Sequence, residues 1–194
     1  MFMLKKALIL LFAALIFILG ACSNDKEESK KSTDNKEHTE KMEDMDHGEM
    51  SHSSSGEIPK GLKTADHPTY KVGSEAILET DHMEGMKGAK ATIAGAYDTT
   101  AYVVSYTPTT GGKRVENHKW VIQEEMKDAG SKTLAPGTEV TLVADHMKGM
   151  KGASAEIESA EKTTVYMVDY TSTTNGEEVK NHKWVTENEL SPVK

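Results

Sequence analysis

The chain has 194 residues, of which 37% are hydrophobic and 28% charged, with a formal net charge of −8 and one cysteine. The acidic balance argues against nucleic acid as a partner and against a basic grip on anionic lipid. One cysteine leaves no internal disulfide, so packing or a bound ligand must supply the stability.

Residues 1–21 read as a secretory signal peptide. Lys5 and Lys6 form a basic n-region, Ala7 to Leu19 is an unbroken apolar run, and Leu19 to Cys22 reads LGAC. The run is too short for a spanning helix and ends in small residues. The lone cysteine stands where a lipobox cysteine stands, so the mature chain is expected to begin at a lipidated Cys22 on the outer face of a membrane. Losing Lys5 and Lys6 takes the charge from −8 to −10.

Residues 22–57 read as a tether. Ser, Asp, Glu, Lys and Asn dominate, and such a segment cannot bury enough surface to offset its ordering entropy, so it is expected to be disordered. Its end, MEDMDHGEMSH, holds Met42, Met45, His47, Met50 and His52. No core exists there for the methionines to fill. They read as a mobile soft-metal chelate, with Asp44, Asp46 and Glu49 able to add harder donors. A short amphipathic interaction motif is the alternative.

The rest is a duplication, 58–128 and 129–194. Gly73–Met126 aligns without gaps on Gly137–Leu190 with thirty identities in 54 positions, a period of 64. That period is long for a solenoid, so each copy reads as a small domain. Retained positions alternate with changed ones. Ala91 and Ile93 match Ala155 and Ile157, and Tyr102, Val104 and Tyr106 match Tyr166, Val168 and Tyr170, whereas Val103 and Ser105 become Met167 and Asp169. Period two means half-buried strands, and TTGGK and TTNGE read as hairpin turns. The expected fold is therefore all-β. The order strand, long loop, three-stranded meander, short turn and last strand suggests two tandem small SH3-like β-barrels.

Each copy repeats a glycine-rich loop, DHMEGMKGA at Asp81 and DHMKGMKGA at Asp145. It offers His82, Met83 and Met86 in the first copy and His146, Met147 and Met150 in the second, with His118 and His182 further on. Thioether is a soft neutral ligand that suits Cu(I) or Ag(I) and suits Zn²⁺, Mg²⁺ or Ca²⁺ poorly. The expectation is that each loop folds back so that both sulfurs and an imidazole converge, with the later histidine near enough to join. The competing reading makes the methionines apolar plugs and His118 a hydrogen-bonded histidine beside Trp120. No serine-hydrolase, zincin or P-loop motif is present, and no enzyme activity or organic cofactor is expected.

A lipobox, an acidic Met/His tether and two copies of DHMxGMKGA…YxVxYTxTTxG…VxNHKWV together resemble the YdhK family of Gram-positive surface lipoproteins. Some of its members, the CopL lipoproteins, bind copper outside the cytoplasm beside copper efflux pumps. The resemblance implies copper binding, copper tolerance and a copper exporter as partner. The expected function is a lipid-anchored protein of the outer membrane face that sequesters Cu(I), Ag(I) or Cu(II). The rival is a tandem SH3-like module that binds cell wall or protein without metal. Replacing Cys22 by Ala is expected to abolish lipidation and release the protein into the medium or leave an uncleaved precursor. Fractionation and metabolic lipid labelling check this, and a processed, membrane-bound mutant would contradict the lipobox.

Overall fold

The computed structural model describes residues 53–194. Cys22 and the tether residues Met42, Met45, His47, Met50 and His52 lie outside the described residues. The described part is all-β: β1 (Lys63–Thr64), β2 (Glu75–Leu78), β3 (Lys90–Tyr106), β4 (Val115–Ile122), β5 (Glu139–Thr141), β6 (Ser154–Thr171), β7 (Glu178–Thr186) and β8 (Leu190–Pro192). Two 3-10 turns, Gln123–Glu125 and Glu187–Glu189, follow β4 and β7.

The hairpins at TTGGK and TTNGE form and join β3 to β4 and β6 to β7, but the first turn of the expected three-stranded meander does not form in either copy. β3 runs unbroken for 17 residues and β6 for 18. The Asp98-Thr99-Thr100 stretch at the middle of β3 carries no proline or glycine to turn the chain, and Tyr and Thr favour extended backbone. The two long strands pair antiparallel from Ala91 with Tyr170 to Tyr106 with Ala155, crossing at Thr99 and Thr163. This ladder joins one copy to the other.

Two lobes follow from that crossing. In one, β2 pairs with the first half of β3 and with β8, while β7 pairs with the second half of β6. Its core mixes Ala76, Leu78, Met86 and Ile93 of the first copy with Tyr166, Val168, Val185 and Leu190 of the second. In the other lobe β4, the second half of β3, the first half of β6 and β5 assemble in the same way, closed by a bridge from Met126 to Leu142. Tyr102, Val104 and Val121 there meet Leu142, Met150 and Ile157. The two copies therefore do not form separate SH3-like barrels. Strands from both share one sheet, ordered β5-β6-β3-β2-β8, whose path stays open.

The period-two reading put the right residues inside: Ala91, Ile93, Tyr102, Val104, Tyr106 and their counterparts are buried. It put Val103 and Ser105 outside, and they are buried too, at 7% and 2% exposure. The opposite face of the β3–β6 ladder is covered by a third cluster, which holds Tyr97, Val103, Trp120, Val165, Met167 and Trp184. A strand buried on both faces does not alternate cleanly.

The last residues assigned to the tether are not free chain. Ser54 N–H donates to the Lys180 carbonyl (2.9 Å) and Lys180 N–H to Ser53 Oγ (3.0 Å). Ser54 Oγ donates to the Asn181 carbonyl (2.6 Å), and the Asn181 amide returns a bond to Ser54 O (3.2 Å). Residues 53–57 thus lie along β7 as a strap.

A single copy lacks half of each core. Removing the second copy would strip six side chains, Tyr166, Val168, Tyr170, Val179, Val185 and Leu190, from the first lobe's cluster. At about 1.5–3 kcal/mol per buried side chain this loss, on the order of 10 kcal/mol, equals a typical domain's whole stability. Residues 129–194 alone are expected to fold only as a dimer, each copy supplying the other's missing strand. Light scattering with circular dichroism checks this, and a folded monomer would contradict it.

Candidate metal centre

The two glycine-rich loops are held by turns of the other copy. Thr173 donates from N (2.8 Å) and Oγ1 (3.1 Å) to the Gly85 carbonyl, and Thr109 does the same to Gly149 (2.9 and 3.2 Å). A Cβ at Gly85 would lie 2.0 Å from Ser172 Oγ, and one at Gly149 2.6 Å from Thr110 Oγ1. Both glycines have positive φ, 76° and 79°, so conformation and close approach both demand glycine.

This clamping splits each loop's ligand candidates. Met86 and Met150 are wholly buried inside the two lobe cores. They pack, and the expected convergence of both sulfurs of a loop does not occur. The reason is the three-residue step from Met83 to Met86, which closes a tight turn through Met86 N–H to Met83 O (3.3 Å) and sends the second side chain inward. Met83 and Met147 stay half-buried. They line, with His82, His118, His146 and His182, a cleft of about 1090 Å³.

The histidines of β4 and β7 reach the cleft through a local distortion. Asn117 and Asn181 have φ of 54° and 52°, and the pairing register shifts on either side of His118 and His182. The Asn117 N–H turns to Ser105 Oγ (3.1 Å) and the Asn181 N–H to Asp169 Oδ1 (2.7 Å). Such a bulge re-aims the following side chain. His118 packs edge-on against Tyr106 with ring centres 5.9 Å apart, and Tyr170 does the same for His182 at 5.9 Å. His118 was expected to join the loop of its own copy. Its ring neighbour is His146 of the other copy, with centres 6.3 Å apart and planes tilted by 40°.

Two glutamates missed at the sequence level organise the loop histidines. His82 Nε2 lies 2.7 Å from Glu189 Oε1, and His146 Nε2 2.7 Å from Glu125 Oε1. The second oxygen of Glu189 accepts Trp120 Nε1–H (2.8 Å) and Thr186 N–H (3.1 Å). That of Glu125 accepts Trp184 Nε1–H (3.0 Å) and Ile122 N–H (3.2 Å). A signal was available: in QEEM and ENEL the third residue is Glu in both copies, while the two before it change.

The electrostatics follow from the geometry. Burial works against the Glu189 anion, yet the hydrogen bond and positive charge of His82, then Thr186 N–H and Trp120, hold its pKa down at about 2. His118 is pushed down from 6.5 to about 4 by burial first, then by positive charge on His146 and on His82. A carboxylate only accepts, so His82 and His146 present Nε2–H to it. In the neutral ring Nδ1 then carries a lone pair. His82 Nδ1, His146 Nδ1 and His118 Nε2 are all buried and have no hydrogen-bond partner in the protein. Leaving such an atom buried costs about 1–3 kcal/mol. Histidine anchored to a carboxylate through one nitrogen, with the other open, is the usual preparation of a metal ligand. Among the described residues no three His, Cys, Asp or Glu side chains already close on one point.

The metal-free protein should lose stability on acidification. His118 binds its proton in the unfolded chain first, so stability falls as pH drops from 6.5 towards about 4 and levels off below that. Glu189 adds a second loss between 4.5 and about 2. His118→Gln is expected to flatten the first window and spare the second. Urea midpoints against pH, with chelator present, check this; parallel curves for the two proteins would contradict it.

Both copies match the family described as "Protein of unknown function (DUF1541)", at residues 72–123 and 136–187. The chain is 64% identical over 187 residues to the uncharacterized protein YdhK of Bacillus subtilis strain 168, covering 96% of this chain and 89% of that one. It is also similar to a crystal structure of a DUF1541 family protein, ydhK of B. subtilis, at 72% identity and a TM-score of 0.73, covering 76% of this chain and all of that one. A solution structure of the ydhK C-terminal domain matches at 78% identity and a TM-score of 0.61, covering 63% of this chain and 92% of that one. The chain belongs to the DUF1541 family and carries two of its units.

Proposed function

We propose that the protein is a lipid-anchored, extracytoplasmic metal-binding protein that takes up Cu(I), or Ag(I), as cargo in copper tolerance. The observation that carries this reading is the set of buried ring nitrogens, His82 Nδ1, His118 Nε2 and His146 Nδ1, left without protein partners around one cleft. Two of the rings are oriented by carboxylates through the other nitrogen. Met83 and Met147 add thioether donors on the same walls. Imidazole with thioether and no thiolate suits soft monovalent ions in an oxidising compartment. Met42, Met45, His47, Met50 and His52 extend the same donor chemistry in the tether, and an exporter that releases copper outside the membrane is the fitting partner.

The fold reading that accompanies this is a pair of SH3-like lobes, each assembled from halves of both copies. β2, the glycine-rich loop, the first half of β3, the second half of β6, β7, a 3-10 turn and β8 follow the order of that barrel. The rival reading of the methionines as packing is favoured for Met86 and Met150 alone.

An anaerobic Cu(I) titration against a competing chelator separates the two kinds of methionine. Met83→Leu with Met147→Leu is expected to lower Cu(I) affinity and scarcely touch Zn²⁺ binding. Met86→Leu with Met150→Leu is expected to change stability by less than about 1.5 kcal/mol and leave Cu(I) affinity intact. Unchanged Cu(I) affinity in both double variants would overturn the thioether part of the proposal.

A further inference from the structure

The spacing of two rings from different copies fixes more than the presence of a ligand set. We infer that one soft monovalent cation is held directly between His118 Nε2 and His146 Nδ1, so that the binding unit is the cross-copy pair and not the loop of either copy. This rests on the metal-binding reading above.

The argument is geometric. A nitrogen ligand sits about 2.0–2.1 Å from its metal, and an imidazole nitrogen lies a little over 1 Å from its ring centre. One ion shared by two rings therefore places their centres up to about 6.4 Å apart when the two bonds are opposed, and about 5 Å apart at a tetrahedral angle. The His118 and His146 centres are 6.3 Å apart. With the two nitrogens turned towards one ion, that separation would correspond to a wide, nearly opposed pair of bonds, wider than a tetrahedral angle spans. The two nitrogens concerned are the buried, unpartnered ones.

The surroundings restrict the ion further. The His146 ring is held from behind by Glu125 at 2.7 Å, and Tyr106 flanks His118, so neither ring swings freely to crowd a third imidazole in. Tyr106 Oη also lies 3.9 Å from Met147 Sδ, which puts a thioether beside the same ring that packs on His118. Such a pair of imidazoles, with the Met147 thioether in the same cleft, would suit d¹⁰ Cu(I) and Ag(I), which accept two or three ligands. Zn²⁺ in protein sites is almost always four-coordinate and tetrahedral. The spacing thus favours a low coordination number, in addition to the softness of the donors.

Silver provides a redox-inert probe with a nuclear spin. The chain from Ser23 onward keeps all of the described residues, 53–194. Labelled with ¹⁵N and titrated with ¹⁰⁹Ag(I), it is expected to show His118 Nε2 and His146 Nδ1 both coupled to one silver frequency. His118→Ala and His146→Ala should each lower Ag(I) affinity at this site by about a hundredfold or more, and the double variant little further, because partners in one unit are not additive. Circular dichroism of each variant guards against unfolding, with His118→Gln and His146→Gln as the milder pair. Two separate silver frequencies, or additive losses, would overturn the shared ion while leaving metal binding standing. No silver coupling at any histidine of the cleft would overturn both.

Discussion

Everything in this protein depends on the antiparallel pairing of β3 with β6. It runs through fifteen residue partners, from Ala91–Tyr170 to Tyr106–Ala155. Because each long strand belongs half to one lobe and half to the other, neither lobe can exist without both copies. The lobe cores, the clamped loops and the facing histidines are all products of that one exchange. A strand continued unbroken where the family of small barrels would turn back costs no hydrogen bonds, since the other copy offers the same ladder.

The all-β class and the tandem repeat were legible in the sequence, as were the inward residues of the long strands. Alternation and internal identity report local environment, and the local environment of Tyr102 or Val168 is the same whichever copy supplies its neighbours. The exchange itself was not legible for the same reason: copies at thirty identities in 54 positions are interchangeable as partners. Sequence separation said nothing about whether His118 meets His82 or His146.

The site shows a similar limit. Histidine and methionine stood out by type, but type did not separate Met83 from Met86. A three-residue step in a tight turn sends one to the cleft and the other to the core. Glu125 and Glu189 were overlooked because a single glutamate in a 3-10 turn looks like solvated surface. In the structure each ties a loop histidine of one copy to a carboxylate of the other, and a tryptophan of the neighbouring lobe to the same carboxylate. The carboxylates that orient the rings thus join the two copies within a lobe through histidine and join the two lobes through tryptophan.

The strap at 53–57 breaks the two-fold likeness of the halves. It bonds β7 at Lys180 and Asn181, and the matching stretch of β4, Glu116–Asn117, receives no such segment among the described residues. Ser53, Ser54, Ser55 and Glu57 of the strap also line the cleft. One wall of the cleft is therefore made by a segment that belongs to neither lobe core and is held by hydrogen bonds alone rather than by apolar packing.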